Sequence, residues 1–169
     1  MNKKSIFLPS IVAAYAGSVL LTIPGLKTLG CCLIVPGAVV GAMYFYKKLN
    51  PLLPSFSVKE SVKFSLMTGL FIALFSTALD LVITLIFKSN DFTQSLPEME
   101  KMMAEMAPGP ALKDAIQLLR AMASQIELTG FSFLYAILSL TGNLLMDLLF
   151  ALPGGLFARN FFNKKSLNL

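Results

Sequence analysis

The chain has 169 residues, of which 56% are hydrophobic and 14% charged, and its formal net charge is +5. Soluble globular domains run at roughly 45–50% and 25%, and a fold of this size cannot hide the excess from water, so lipid is the expected medium. Histidine and tryptophan are absent, which removes most zinc sites, Ser–His triads and histidine-ligated haem.

The first apolar run covers residues 5–23. Its start, Met1-Asn2-Lys3-Lys4 before IFLPSIVAAYAG, has the layout of a secretory signal, with Ala14-Tyr15-Ala16 as a cleavage triplet. The run continues through Leu20-Leu21-Thr22-Ile23, so an uncleaved first span is expected. Pro24-Gly25 makes a tight turn. Leu29-Gly30-Cys31 has the look of a lipoprotein acylation site, but Lys27 interrupts its apolar lead-in. A second span is expected over 28–46, with Pro36 in its first turns. Cys31 and Cys32 are adjacent, a spacing that rarely satisfies disulfide geometry. They read as small hydrophobes rather than redox or metal groups. Gly37-x-x-x-Gly41, like Ala13-x-x-x-Gly17 before it, permits close helix contact, inside a bundle or in a homodimer.

Asn50-Pro51 and Pro54 mark a short loop. The third span is expected over 62–87. Ser65, Gly69, Ile72, Ser76 and Asp80 share one broad face of it, with Ala73 and Thr84 at the margin. Gly69 and Ala73 are expected to let another helix approach closely.

The segment that follows is too long for a plain connection. It reads as two amphipathic helices over about 95–128. Ser95 with Glu98 has capping-box spacing and predicts a helix from Leu96 to Pro108-Gly109. Pro110 suits the first turn of the next helix. There Leu112, Ala115, Ile116, Leu119, Met122 and Ile126 form one apolar stripe, expected to lie on the lipid surface or to cap the bundle. Met99, Met102, Met103 and Met106 could bind Cu(I) through thioethers. The same spacing also makes the apolar face of a partner-contact helix.

The last span is expected over 131–158, loosened where Pro153-Gly154-Gly155 occur. Ala136, Ser139, Asn143, Asp147, Gly154 and Ala158 form a small and polar stripe. Leu145, Leu148, Leu149 and Leu152 lie opposite and should face lipid. The stripes of the third and last spans are expected to pack together, each carrying one acid. An ionised Asp at mid-membrane costs roughly 2.5–3.5 kcal/mol on insertion scales, and the spans hold no Lys or Arg beyond Lys63, at the very start of the third, to offset it. Asp80 and Asp147 must therefore carry a proton, bond to Asn143, Ser76 or Thr141, or reach water. If they lie at one depth they titrate as a pair.

Basic residues cluster beside the spans: Lys3-Lys4, Lys47-Lys48, Lys59 and Lys63, then Arg159, Lys164 and Lys165. This is the pattern of membrane orientation rather than of nucleic-acid binding, and it favours cytoplasmic termini. Tyr44, Tyr46, Phe161 and Phe162 beside these clusters suit a membrane interface.

Met43-Tyr44-Phe45-Tyr46-Lys47-Lys48, the run SVKFSLMTGLFIALFSTALDLV, PEMEKMMAEM and the closing PGGLFARNFFNKK together resemble a bacterial family of small four-span membrane proteins, catalogued as a domain of unknown function. The resemblance covers the chain from about Gly37 onward and implies four helices with an outer amphipathic segment. It implies no activity and no catalytic residues.

The expected fold is all-α: one domain over 1–169, an integral membrane four-helix bundle with an extra-membrane amphipathic segment between spans 3 and 4. A bacterial cytoplasmic membrane with both termini inside is the expected location. With no nucleophile–base set, phosphate loop or metal cluster, the expected role is non-enzymatic and without cofactor: an accessory, scaffold or assembly subunit of a membrane complex. Its partners would be the bilayer and other membrane subunits or a second copy, not nucleic acid. The alternative is a small oligomeric transporter or channel using Asp80, Asn143 and Asp147. A membrane hydrolase using paired acids comes third and lacks a signature.

Overall fold

A computed structural model describes residues 5–23, 26, 30–52, 55–105 and 109–167. Among them the chain forms six α-helices, one π turn and no strand. The helices are α1 (Phe7–Leu21), α2 (Val35–Leu49, led in by the π turn Gly30–Ile34), α3 (Val58–Phe87), α4 (Asp91–Glu105), α5 (Pro110–Thr129) and α6 (Phe133–Leu167).

Three stretches of described helix are long and apolar enough to cross a bilayer: Cys32–Leu49, Val58–Phe87 and Phe133–Lys164. The expected first span is shorter than that. Its helix has 15 residues, about 22 Å at 1.5 Å per residue, against a hydrocarbon core of about 30 Å. The stop is local. Pro24 follows Ile23, and a residue before proline is driven out of the helical region. The Thr22 hydroxyl turns back onto the Val19 carbonyl at 2.7 Å. The π turn before α2 has a related cause: Pro36 has no N–H to give the Cys32 carbonyl, and the preceding turn widens.

The other boundaries follow their caps. Helix α3 begins at Val58 rather than 62 because Ser57 and Glu60 form a reciprocal capping box. The Ser57 amide donates to the Glu60 carboxylate at 3.0 Å, and the Glu60 amide donates to the Ser57 hydroxyl at 3.2 Å. Helix α4 begins at Asp91, not Leu96, because Asn90 caps it. The Thr93 amide donates to Asn90 Oδ1 at 3.0 Å, and the Asn90 amide to Thr93 Oγ1 at 3.1 Å. Ser95 therefore sits inside the helix, its hydroxyl on the Phe92 carbonyl. Pro108, the expected stop, lies outside the described residues, as do Lys3, Lys4, Pro24, Gly25, Lys27 and Pro54. Pro153 does not end the last helix near 158; α6 runs through it to Leu167. Helix α5 ends at Gly130, whose φ of 79° is the left-handed region that glycine tolerates, and whose amide reaches the Ile126 carbonyl at 2.7 Å.

The chain forms two compact units: Met1–Thr77 with Leu140–Leu169, and Ala78–Ser139. In the first, Ala13, Ala14, Val35, Val39, Met43, Tyr46, Phe64, Ile72, Ala151 and Ala158 make one apolar core. The Ser18 hydroxyl bonds to the Ala14 carbonyl of its own helix at 2.7 Å and lies 3.4 Å from the Ile72 carbonyl of α3. Leu66, Leu70, Leu74, Leu145 and Leu149 remain exposed, which suits lipid. In the second unit α4 and α5 pack against each other. Met122, Ala123 and Ile126, part of the predicted α5 stripe and its neighbour, are buried.

Candidate functional site

The first unit brings α3 and α6 together through residues with little or no side chain. A Cβ added to Gly69 would lie 3.0 Å from Ala151 Cβ and 3.1 Å from the Asp147 carbonyl oxygen. Gly154 is held as tightly: a Cβ there would lie 2.6 Å from Pro36 Cα. Gly155 meets the Ser61 carbonyl and the Ser65 side chain. Ala73 is fully buried. Gly37 and Gly41 are different. Among the described residues a Cβ at either would meet nothing within 4 Å, so neither makes the close packing expected within a bundle.

Asn143 and Asp147 lie on this seam but do different things. The Asn143 amide donates to Thr77 Oγ1 at 2.9 Å, tying α6 to α3. Asp147 is 5% exposed, and its Oδ2 has no hydrogen-bond partner among the described residues. None of the partners proposed for it from the sequence is its neighbour by hydrogen bond at that atom. Asn143 is engaged by Thr77, and the Ser76 hydroxyl lies 3.3 Å from the Ala73 carbonyl of its own helix. Two further buried hydroxyls of this unit, Ser10 and Thr68, also lack partners among the described residues. Unsatisfied buried polar atoms are uncommon in folded proteins, and each asks for an explanation.

Asp80 belongs to the second unit. Tyr135 OH donates to its Oδ2 at 2.5 Å, the short end of the range for an O–H···O bond. The Phe92 ring leans on Tyr135, centroids 5.7 Å apart. Below this pair the Thr84 hydroxyl donates to the Asp80 carbonyl at 2.7 Å, and Asn90 Nδ2 donates to Thr84 at 3.2 Å. The cap of α4 is thus continuous with the surroundings of Asp80. Tyr135 and Thr77 were not read from the sequence as partners. The available signal was a tyrosine in the first turn of the last span, the end that an antiparallel α3 would meet with Asp80.

The methionines of α4 do not share one environment. Met102 is 56% exposed, Met99 and Met103 are half-buried, and Met106 lies outside the described residues. The Ser95 hydroxyl lies 3.8 Å from Met99 Sδ. The bidentate pair of Arg120 with Glu100, at 2.7 and 2.9 Å, joins α5 to α4. It holds the Glu100 carboxyl below its ordinary range and raises Arg120. Among the described residues no three His, Cys, Asp or Glu side chains gather in a way that could hold a metal ion. Cys32 is free and exposed, and the Cys31 side chain is outside the described set.

A family model described as "Protein of unknown function (DUF4199)" matches residues 5–160. No curated protein and no solved structure matches the chain.

Proposed function

This chain belongs to the DUF4199 family, and we propose that it is a non-enzymatic integral membrane protein, an accessory, scaffold or assembly subunit of a larger complex. The observation that carries this reading is how the polar groups of the long helices are used. Asn143 bonds to Thr77, Asp80 accepts from Tyr135, and Gly69 is pressed against the Asp147 backbone. These contacts fasten helices, in the manner of polar and small residues at membrane helix interfaces. The α4–α5 pair supplies a surface for a partner, with Met102, Leu118 and Leu128 left uncovered.

In this proposal α1 is a fourth crossing, its 15 helical residues extended by apolar flanks to 5–23, and both termini face the cytoplasm of a bacterial cell. An even number of crossings then places Cys32 near the outer surface. An impermeant thiol reagent applied to intact cells should label Cys32; labelling only after lysis would reverse the orientation. Isolation from native membranes in a gentle detergent tests the role: specific chains should co-purify, and a lone monomer would remove the reading.

One observation favours a second reading, a small oligomeric transporter or channel using Asp80, Asn143 and Asp147. It is the buried, unpartnered Oδ2 of Asp147, since an intramembrane acid is a functional candidate by default. Asp147→Asn separates the two. Complex formation should survive it under the first reading. A measured ion or proton flux abolished by it would establish the second.

A further inference from the structure

The first unit gathers the C-terminal end of α2, the start of α3 and the last turns of α6. The Phe56 amide donates to Asn163 Oδ1 at 2.9 Å, Asn163 Nδ2 donates back to the Phe56 carbonyl at 3.0 Å, and Lys47 Nζ reaches the Phe162 carbonyl at 3.4 Å. Seven cations belong to these segments, and six of them have described side chains: Lys47, Lys48, Lys59, Lys63, Arg159 and Lys164. Glu60, the acid in the same segments, has its carboxylate on the Ser57 cap. Among the described residues none of the six cations makes an ion pair; the pair that is present, Arg120 with Glu100, lies in the other unit.

Two of these cations are fixed rather than free. Arg159 is half-buried, with Nε donating to the Phe56 carbonyl at 3.2 Å and Nη1 to Asn160 Oδ1 at 3.3 Å. Nη2 has no partner among the described residues. Lys47 is half-buried too, its ammonium 5.9 Å from the centroid of the Phe162 ring. Membrane orientation requires positive charge near a span end but no particular geometry. Here two cations are held in place with donors to spare, beside the exposed rings of Tyr44 and Phe161.

We infer that this end of the unit, centred on Lys47 and Arg159, binds the headgroup of an anionic phospholipid. Guanidinium and ammonium groups bind phosphate strongly, and basic pockets between span ends select acidic headgroups. The neighbouring Phe45 and Phe157 are exposed and suit an acyl chain better than water, which favours a lipid over a soluble anion. The inference rests on the membrane reading above. That reading fails separately, if the protein leaves cells dissolved without detergent.

Native mass spectrometry of the full chain in mild detergent, with equal amounts of phosphatidylglycerol and phosphatidylcholine of matched chains, tests it. The wild type should retain phosphatidylglycerol in preference. Lys47→Gln with Arg159→Gln should lower that retention roughly 30-fold, at about 1 kcal/mol per cation. Lys101→Gln with Lys113→Gln, an equal charge change in the other unit, should leave it unchanged. Equal retention of both lipids by the wild type overturns the proposal. So does equal loss in the two double variants, or displacement of the lipid by millimolar inorganic phosphate. Should the first double variant not fold, the wild-type preference between the two lipids decides by itself.

Discussion

The two units of this chain are held together by different means. The first depends on side chains that are small or missing: Gly69 against Asp147 and Ala151, Gly154 against Pro36, Gly155 against Ser61 and Ser65. The second depends on polar side chains that reach out: Tyr135 to Asp80, Asn90 to Thr84, Arg120 to Glu100. Under the membrane reading proposed above, the difference follows from solvent. Among lipid tails one apolar surface gains little by covering another, so helices associate where backbones approach closely. Where water is present, an amphipathic stripe such as Met122 and Ile126 gains by burial, and ion pairs and caps set the ends.

Substitutions can break this contrast. The largest effect is expected from Gly154→Val. Its Cβ would meet the Pro36 backbone, which cannot rotate away, so about 3 kcal/mol or more should be lost. Loss of the monodisperse peak after mild heating in detergent would show it, and an unchanged peak would deny the close approach. Gly130→Ala comes next. It places a side chain at φ 79° and only 2.7 Å from the Leu85 carbonyl, for about 1–2 kcal/mol of left-handed strain plus the crowding. Faster amide exchange through α5, with the first unit unaffected, is the expected readout.

Tyr135→Phe should be smaller, about 1–2 kcal/mol, because it removes one bond to a carboxylate and leaves the ring against Phe92. Equal stability of Tyr135→Phe and wild type to thermal challenge would show that the bond contributes nothing net. The smallest effect should come from the exposed Arg120–Glu100 pair. Glu100 is held below its ordinary range first by its hydrogen bond to Arg120. Its contribution is therefore present above the ordinary carboxylate range and lost as pH falls through the lowered value. Amide exchange in α4, corrected for intrinsic rates, should rise on acidification and with salt, and Glu100→Gln should flatten both trends.

Much of the fold was legible because apolar runs and helical periodicity survive in any single sequence. The third and last long helices, the amphipathic pair and the small-residue approach at Gly69 and Gly154 all lie on patterns of that kind. Cap assignment was harder, since Ser-x-x-Glu occurs at both Ser57 and Ser95, and spacing does not say which serine precedes a helix and which sits within one. Pro153 misled for a similar reason. A proline removes one hydrogen bond, but two glycines beside it let neighbouring helices close around the site, and α6 continues. Gly37 and Gly41 carry the same motif as tightly packed glycines, yet the face they occupy depends on where α1 and α6 lie, which no local pattern records. The partners of Asp80 and Asn143 were missed because hydrogen bonding depends on the register between helices, set by packing far along the chain.

That register has a consequence for biosynthesis. Fifty-five residues separate Tyr135 from Asp80, and 66 separate Asn143 from Thr77. A ribosome that has released α3 into the membrane must still make the whole of α4 and α5 before the groups that match Asp80 and Thr77 exist. During that interval α3 stands in lipid with an acid and a row of hydroxyls unmatched by α6. On the membrane reading, the last helix is the clasp whose arrival matches those groups.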